Sequence, residues 1–435
     1  MLRSLFLMAL AVGSVTAHAQ LQTRGVYVVS QGSFGGNNAN VVRVDPATGL
    51  ASTVLSGRVF TQGAEIIGDR LYLTAGGGTD SRIDVVSLTT HTQVAQATGN
   101  LVNPRYLADL GNGRALVTNQ TYAFQTSADP YLSIFDLATN RVAGTIPIGR
   151  QPEGITVSGS RAYVALGAFD ERTSLAVVST LTLRDPQIVE IGCAARFVFT
   201  DREDEVWAIC QDAVVVLNGA TGAEVARLTP ASPITVGFAQ EAAYDATTQT
   251  VFAVAGTQIL RFDTATNTAA SALAVPGAAA VSAIGYDPQN GRLYLGRPDV
   301  TNPFSAPGTV TAHDATGAQV ASYAAGVYPA YVAVYTTGMV ASRPGAPSDN
   351  LTLDAPTPNP TTGTATVGFS LAQAGRVRLV ALDLLGREVA VLHSGTTGAG
   401  PHTVSLSTAT LPAGVYLLRL TSGGQVATQR LTVGR

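Results

Sequence analysis

The chain offers few side chains suited to acid–base or metal chemistry. Its five histidines are His18, His91, His313, His393 and His402. No two of them have the close spacing of zinc ligands, and a Ser-His-Asp triad would depend on His91 or His313. We therefore expect no catalytic residue, no metal and no cofactor, and we interpret the protein as a non-enzyme.

The basic residues narrow the choice of chemistry further. Lys plus Arg number 26, and every one of them is an arginine. Schiff-base chemistry and phosphate binding by a P-loop lysine are thereby excluded. With 29 Asp plus Glu the formal net charge is −3, so no basic surface for nucleic acid is expected.

Aromatic, amide and charged side chains concentrate in the longer connections between apolar segments. Loops carried by a rigid body commonly hold ligand-binding residues. The candidate ligand-binding residues are Phe34, Asn37, Asn38, Arg105, Tyr106, Tyr122, Phe124, Arg150, Glu153, Asp170, Arg196, Phe304 and Tyr328.

Three of these candidates are arginines that precede similar apolar segments. If Arg105, Arg150 and Arg196 are equivalent, they surround one opening and favour an anionic or carboxamide-rich ligand, because each guanidinium offers a planar set of donors. The alternative is that they pair with Glu153, Asp170 or neighbouring carbonyls and only fix the loops.

The two cysteines flank one predicted hairpin. Cys193 and Cys210 fall nearly opposite each other when the chain turns near Asp201 to Asp204. In an exported protein this arrangement is consistent with a disulfide. Two buried free thiols are the alternative.

The elements that would position these residues follow a repeat. A short alternating apolar segment ends seven times in Asp, Asn or Ser before a Thr/Gly/Asn-rich turn, at spacings of 42, 49, 43, 39, 45 and 51 residues; the terminal residues are Asp45, Ser87, Asp136, Ser179, Asn218, Asp263 and Asp314. A repeat of about 40–50 residues built from short strands predicts a β-propeller, here with seven blades. The polar residues are interpreted as caps of their own turns rather than calcium ligands.

The ends of the repeat region complement each other. The first repeat enters directly at a second-strand segment, Gly25 to Val29, whereas a surplus inner-type segment, Ala330 to Tyr335, follows the last repeat. We predict that the second completes the sheet of the first, which would remove two exposed sheet edges.

Loop lengths differ between the two faces of such a disc. Turns from first to second and from third to fourth strands are short, and the other connections, which emerge on the opposite face, are long. The long-loop face is therefore the predicted binding face.

Composition divides the chain into four parts. Residues 1–19 have the charged start, apolar core and small-x-small site of a signal peptide. Residues 20–340 form the predicted propeller, 341–352 a Pro/Gly-rich linker, and 353–435 a unit of six or seven short strands. The expected fold class is all-β, a seven-bladed β-propeller followed by a small immunoglobulin-like β-sandwich.

The terminal unit resembles the type A C-terminal sorting domain of type IX secretion. The resemblance lies in Pro358-Asn359-Pro360-Thr361, Gly386-Arg387-Glu388-Val389 and Leu411-Pro412-Ala413-Gly414-Val415-Tyr416. It implies that the type IX machinery binds residues 353–435 and delivers a protein without a transmembrane segment to the cell surface or the medium.

The propeller resembles YVTN and surface-layer-type repeats and a Bacteroidota propeller family of unknown function. The clearest copy contains Asp136-Leu137-Ala138-Thr139-Asn140 and Ala162-Tyr163-Val164. Some relatives of this type bind cobalamin at the cell surface, which implies a corrinoid-like or glycan ligand, or a surface partner, for a monomeric binding protein. The alternatives are a lactonase-like or dehydrogenase-like enzyme and a structural surface-layer or adhesion protein.

Overall fold

The computed structural model describes residues 21–76, 80–121, 129–167, 172–237, 239–277, 280–337, 351–371, 375–382, 388–408, 411–422 and 425–434. The predicted signal peptide and residues 341–350 of the predicted linker lie outside these ranges. Within them, no helix has the length and hydropathy needed to cross a membrane.

Between residues 22 and 337 the described strands form seven four-stranded antiparallel sheets. The strands of the first three sheets are β1 (Gln22–Ser30), β2 (Ala39–Val44), β3 (Ala51–Arg58), β4 (Thr61–Ile67), β5 (Arg70–Ala75), β6 (Arg82–Ser87), β7 (Gln93–Ala97), β8 (Pro104–Asp109), β9 (Arg114–Asn119), β10 (Tyr131–Asp136) and β11 (Arg141–Pro147). Those of the next two are β12 (Ile155–Ser158), β13 (Arg161–Ala165), β14 (Ser174–Ser179), β15 (Gln187–Glu190), β16 (Phe197–Thr200), β17 (Glu205–Ile209), β18 (Val214–Asn218) and β19 (Glu224–Leu228). The last two sheets and the closing strand comprise β20 (Ala242–Asp245), β21 (Thr250–Ala255), β22 (Gln258–Asp263), β23 (Thr268–Ala274), β24 (Ala283–Asp287), β25 (Arg292–Arg297), β26 (Pro307–His313), β27 (Gln319–Val327) and β28 (Pro329–Thr337).

The sheets pack face to face in a ring. Seven apolar clusters each combine buried residues of two neighbouring sheets, and the last of them joins Val28 of the first sheet to Tyr294 of the seventh. Middle strands such as β17 and β18 are therefore buried almost throughout, whereas the outer strand β11 is largely exposed. This arrangement is a β-propeller, in which the middle strands are covered on both faces by neighbouring sheets.

The ring closes by exchange between the two ends of the repeat region. Strand β28 pairs antiparallel with β1, with Val28 opposite Val332 and Val26 opposite Val334. The sheet order β28-β1-β2-β3 confirms that the surplus strand completes the first sheet.

The polar residues that end the repeated segment cap the following turns. Asp45 Oδ1 accepts hydrogen bonds from the backbone N–H groups of Ala47 and Thr48, at 3.0 and 3.1 Å, and Asn218 and Asp314 do the same in their own turns. The bond from Thr48 is the largest of the effects that lower the pKa of Asp45. These bonds confirm the capping interpretation.

The terminal unit has two antiparallel sheets. Its strands are β29 (Thr352–Leu353), β30 (Thr364–Leu371), β31 (Gly375–Leu382), β32 (Glu388–Thr397), β33 (Gly400–Ser407), β34 (Gly414–Ser422) and β35 (Gln425–Val433). The sheet orders are β29-β30-β33 and β32-β31-β34-β35. Val367 and Phe369 of the first sheet pack with Leu379 and Leu418 of the second in one core, as expected for a small β-sandwich.

Candidate functional site

A cavity of about 880 Å³ runs along the axis of the propeller. All seven innermost strands contribute to its wall: β4, β8, β12, β16, β20, β24 and β28. A volume of this size accommodates a drug-sized molecule.

The cavity extends to the short-turn face. One end of its wall is formed by Tyr106, Phe197 and Tyr331, and at the other end it includes Gly68 and Pro288 from turns between first and second strands. Within the described ranges, Gly154 and Gln240 are the lining residues that belong to the long connections, both in segments between sheets. The prediction of a pocket on the long-loop face is therefore not matched by this cavity.

The wall of the cavity is acidic. Glu65, Asp109 and Asp245 line it, whereas no arginine or histidine is found among its described lining residues. Asp245 caps its own turn, since its Oδ2 accepts hydrogen bonds from both the backbone N–H and the hydroxyl of Thr248 at 2.7 Å.

Glu65 has an unusual electrostatic environment. The Glu65 side chain is exposed to the cavity. The wall that surrounds the cavity keeps most of the bulk solvent away from the carboxyl group. This desolvation, together with the negative charge of Asp109, raises the pKa of the Glu65 carboxyl to about 8.

Aromatic side chains from several inner strands share the wall with these carboxylates. They are Tyr106, Phe197, Phe199, Tyr244, Tyr286, Tyr331 and Tyr335. The ring of Tyr106 meets that of Phe197 edge-on at a centroid distance of 6.5 Å. The cavity thus combines an apolar, aromatic surface with a few polar groups, the usual composition of a small-molecule site.

A buried ion network lies behind the aromatic end of the cavity. Glu153 is fully buried and contacts two arginines, with Oε2 3.3 Å from Arg105 Nε and Oε1 3.7 Å from Arg196 Nη2. Gln120 also donates to Glu153 Oε1, and Arg105 Nη1 lies 3.5 Å from Gln62 Oε1. The side chains of both arginines are about 95% buried.

The network occupies equivalent positions of successive inner strands. Gln62, Arg105, Glu153, Arg196 and Glu241 each lie at or just before the start of their strand, so the charges alternate in sign round the axis. Neighbouring opposite charges compensate for the loss of water at this buried site.

Burial also changes the acid–base properties of this end of the channel. Desolvation raises the pKa of Glu241 to about 7, although the positive charge of Arg196 opposes the shift. Desolvation likewise raises the pKa of Tyr106 to about 12. The Glu241 carboxyl accepts a hydrogen bond from the Ala239 backbone N–H at 3.1 Å.

The prediction that three arginines surround one opening is wrong. Arg105 and Arg196 are buried in the ion network, and Arg150 is exposed in the connection before β12. The residue equivalent to Arg105 and Arg196 in that sheet is Glu153, three residues further on. The alternative, in which the arginines pair with Glu153, describes Arg105 and Arg196.

The long-loop face carries a separate aromatic group. Phe304 is 60% exposed and stacks on Tyr328 at 4.9 Å, and Phe34 is 68% exposed and meets Phe60 edge-on at 5.5 Å. Ser33 Oγ donates to the Phe304 carbonyl at 2.9 Å, which links the two loops.

The remaining candidates are divided between this face and undescribed positions. Asn38 fixes its own loop, because its Oδ1 accepts a hydrogen bond from the Ser33 N–H at 2.8 Å, and Asn37 is exposed. Tyr122, Phe124 and Asp170 lie outside the described residues. The channel residues Glu65, Asp109 and Tyr244 were missed because single polar residues in an inner strand resemble any other strand position.

The cysteines form a disulfide. The sulfurs of Cys193 and Cys210 are 2.02 Å apart, and both residues lie in the apolar cluster between the fourth and fifth sheets. The bridge connects the start of one hairpin to its end.

Comparison with known proteins identifies the terminal unit and the fold. Residues 357–434 match the family described as the secretion system C-terminal sorting domain. No curated protein matches the chain.

Solved structures resemble the propeller at low sequence identity. A periplasmic gluconolactonase from Pseudomonas aeruginosa aligns with a TM-score of 0.56 and 13% identity, covering 74% of this chain and 100% of that one. A functionally unknown protein from Desulfotomaculum acetoxidans aligns with a TM-score of 0.52 and 11% identity, covering 72% and 99%. At these identities the likeness establishes the β-propeller fold alone.

Proposed function

We propose that this chain is an exported binding protein whose propeller holds a small organic molecule in its axial channel. The observation that carries the proposal is the cavity of about 880 Å³, which is lined by all seven inner strands and reaches the short-turn face. A rigid ring of packed sheets keeps such a site preformed, which reduces the entropic cost of binding.

The sorting domain supports the route of export. Its match over residues 357–434 favours type IX secretion, with the predicted signal peptide directing the first step across the inner membrane. The propeller would then act at the cell surface or in the medium, where a monomeric binding protein meets its ligand directly.

We propose binding without turnover, because the cavity combines an apolar, aromatic surface with a few polar groups. Lactonase-like and dehydrogenase-like activities, and a purely structural surface-layer or adhesion role, are alternative outcomes of the test below.

The channel can be tested by filling it. Ala108 lines the cavity and also contacts the apolar cluster between the third and fourth sheets, so Ala108→Trp should narrow the channel, whereas Ala47→Trp places the same side chain on an exposed turn. Thermal unfolding of both variants establishes that they fold. A library of neutral, cationic and anionic small molecules would be screened by thermal shift against the purified protein. We expect binders whose stabilising effect is lost in Ala108→Trp and kept in Ala47→Trp, and which chromatography recovers unchanged.

Three other results would overturn the proposal. Chemical conversion of the bound molecule would indicate an enzyme. Binding that survives the obstructed channel would place the site elsewhere, on the long-loop face for example. The absence of any binder would favour a structural role.

A further inference from the structure

Two carboxylates lie together toward the short-turn end of the channel. Glu65 is the fifth residue of β4, and Asp109 is the last residue of the neighbouring inner strand β8. Both line the cavity, and the two inner strands that carry them lie side by side round the axis. Like charges held close in a partly desolvated wall repel each other, so a positively charged ligand would relieve an unfavourable interaction.

Among the described residues, neither Glu65 nor Asp109 forms a salt bridge with a basic side chain. Asp109 Oδ1 accepts a hydrogen bond from the Gly111 backbone N–H at 2.8 Å, which leaves its negative charge in place. The arginines nearest the axis, Arg105 and Arg196, lie behind the opposite end of the cavity and are engaged with Glu153. A cleft with charge of a single sign concentrates oppositely charged molecules at its entrance.

The rest of the wall is suited to the body of an organic molecule. Aromatic residues from five inner strands line the cavity, among them Tyr106, Phe199 and Tyr244. Aromatic faces attract organic cations as well as apolar groups. The described part of the chain has no cluster of three or more His, Cys, Asp or Glu residues that could hold a metal ion, which favours an organic cation over an inorganic one.

We propose that the channel selects an organic cation, with an ammonium group beside Glu65 and Asp109 and an apolar or aromatic body against the rings of the wall. This inference rests on the proposed function, since it names the ligand class for the same channel. It also reverses the charge preference that the sequence suggested, because the predicted anion site depended on arginines that the structure buries.

The test compares three probes of similar size and different charge. They are 2-phenylethylamine, 2-phenylethanol and phenylacetate, each titrated calorimetrically into the purified protein at about pH 9, where the Glu65 carboxyl is ionised and the amine is still protonated. We expect the amine to bind most tightly and phenylacetate most weakly. Glu65→Gln/Asp109→Asn should weaken amine binding by about tenfold or more, because it removes both charges that face the ammonium group.

A matched variant controls for the general effect of losing acidic groups. Glu190→Gln/Asp185→Asn removes two carboxylates far along the chain in and before the outer strand β15, and amine binding should be unchanged. Thermal unfolding of both double variants would establish that they fold. Ala108→Trp should abolish amine binding in the same assay.

The outcomes separate this inference from the proposed function. Phenylacetate or the alcohol binding as tightly as the amine, or amine binding unchanged in Glu65→Gln/Asp109→Asn, would overturn the cation preference. If that binding is still lost in Ala108→Trp, the channel remains the site and only the ligand class is wrong. If none of the probes binds, and library screening also yields nothing, both proposals fail.

Discussion

At the scale of single residues, Glu153 connects the inner strands of the two neighbouring sheets. It is fully buried and contacts two buried arginines at 3.3 and 3.7 Å. A buried ion pair contributes little net stability when complete, but removal of one partner leaves an uncompensated charge away from water. The charge balance of the buried ion network therefore depends on this one carboxylate.

We expect Glu153→Gln to lower the free energy of unfolding by about 3 kcal/mol, because Arg105 and Arg196 lose their shared counter-charge. Glu224→Gln is the matched control. Its pair with Arg227 has a short distance of 2.7 Å, but both side chains are at least 40% exposed. That substitution should cost less than about 1 kcal/mol, because water screens the exposed pair. Urea unfolding of the two variants measures the difference, and equal costs would contradict the role assigned to the buried network.

At the scale of the elements, adjacent inner strands approach closely at glycines. The Gly154 N–H donates to the Arg196 carbonyl at 3.0 Å, and a Cβ atom at Gly154 would lie only 2.6 Å from that oxygen. A Cβ atom at Gly63 would meet the Arg105 carbonyl in the same way. These contacts set how tightly the sheets close round the channel.

We expect Gly154→Ala to destabilise the propeller by about 1–3 kcal/mol, because the added methyl group must displace a neighbouring strand. Gly144→Ala provides the comparison, since a Cβ atom there meets only Ile134 Cδ1 at an ordinary 3.6 Å. In a strand that substitution should be neutral or slightly stabilising, by up to about 1 kcal/mol. Melting curves of both variants test this, and the idea fails if Gly154→Ala is as stable as Gly144→Ala.

Closure by β28 belongs to the same scale. Its pairing with β1 gives the first sheet its innermost strand from the other end of the repeat region. The two ends of the repeat region are held together by backbone hydrogen bonds along a full strand, and the first sheet has four strands like the other six.

At the scale of the whole molecule, the described chain has two units, a propeller and a terminal sandwich. The propeller and the terminal sandwich each have their own described core, with Val28 and Trp207 in the first and Val367 and Leu418 in the second. A unit with its own core can fold by itself.

We expect deletion of residues 353–435 to leave the propeller folded but retained in the periplasm of a host with type IX secretion. The reason is that the sorting family matches residues 357–434, outside the propeller. Cell fractionation compared with the full chain measures location, and thermal unfolding of the retained protein measures folding. Unchanged delivery to the surface or the medium would show that the terminal unit is not the address.

Features that depend on neighbouring residues along the chain could be predicted from the sequence. The recurring segment with its capped turn, the surplus strand and the sorting unit are encoded by alternation, turn residues and short motifs, each spanning a few residues. These patterns predict the local structure well, because a strand and its turn are specified by neighbouring residues in the chain.

The location of the candidate site and the charges that face it could not be predicted from the sequence. Both depend on the tertiary structure. Arg150 and Glu153 are three residues apart, yet one is exposed and the other is buried on the axis. Which of them is equivalent to Arg105 depends on the register of strands across neighbouring sheets, and a shift of a few residues moves a side chain from the surface to the axis. For the same reason the pairing of Glu65 with Asp109 could not be predicted, because the two residues face one channel only in the folded ring of seven inner strands.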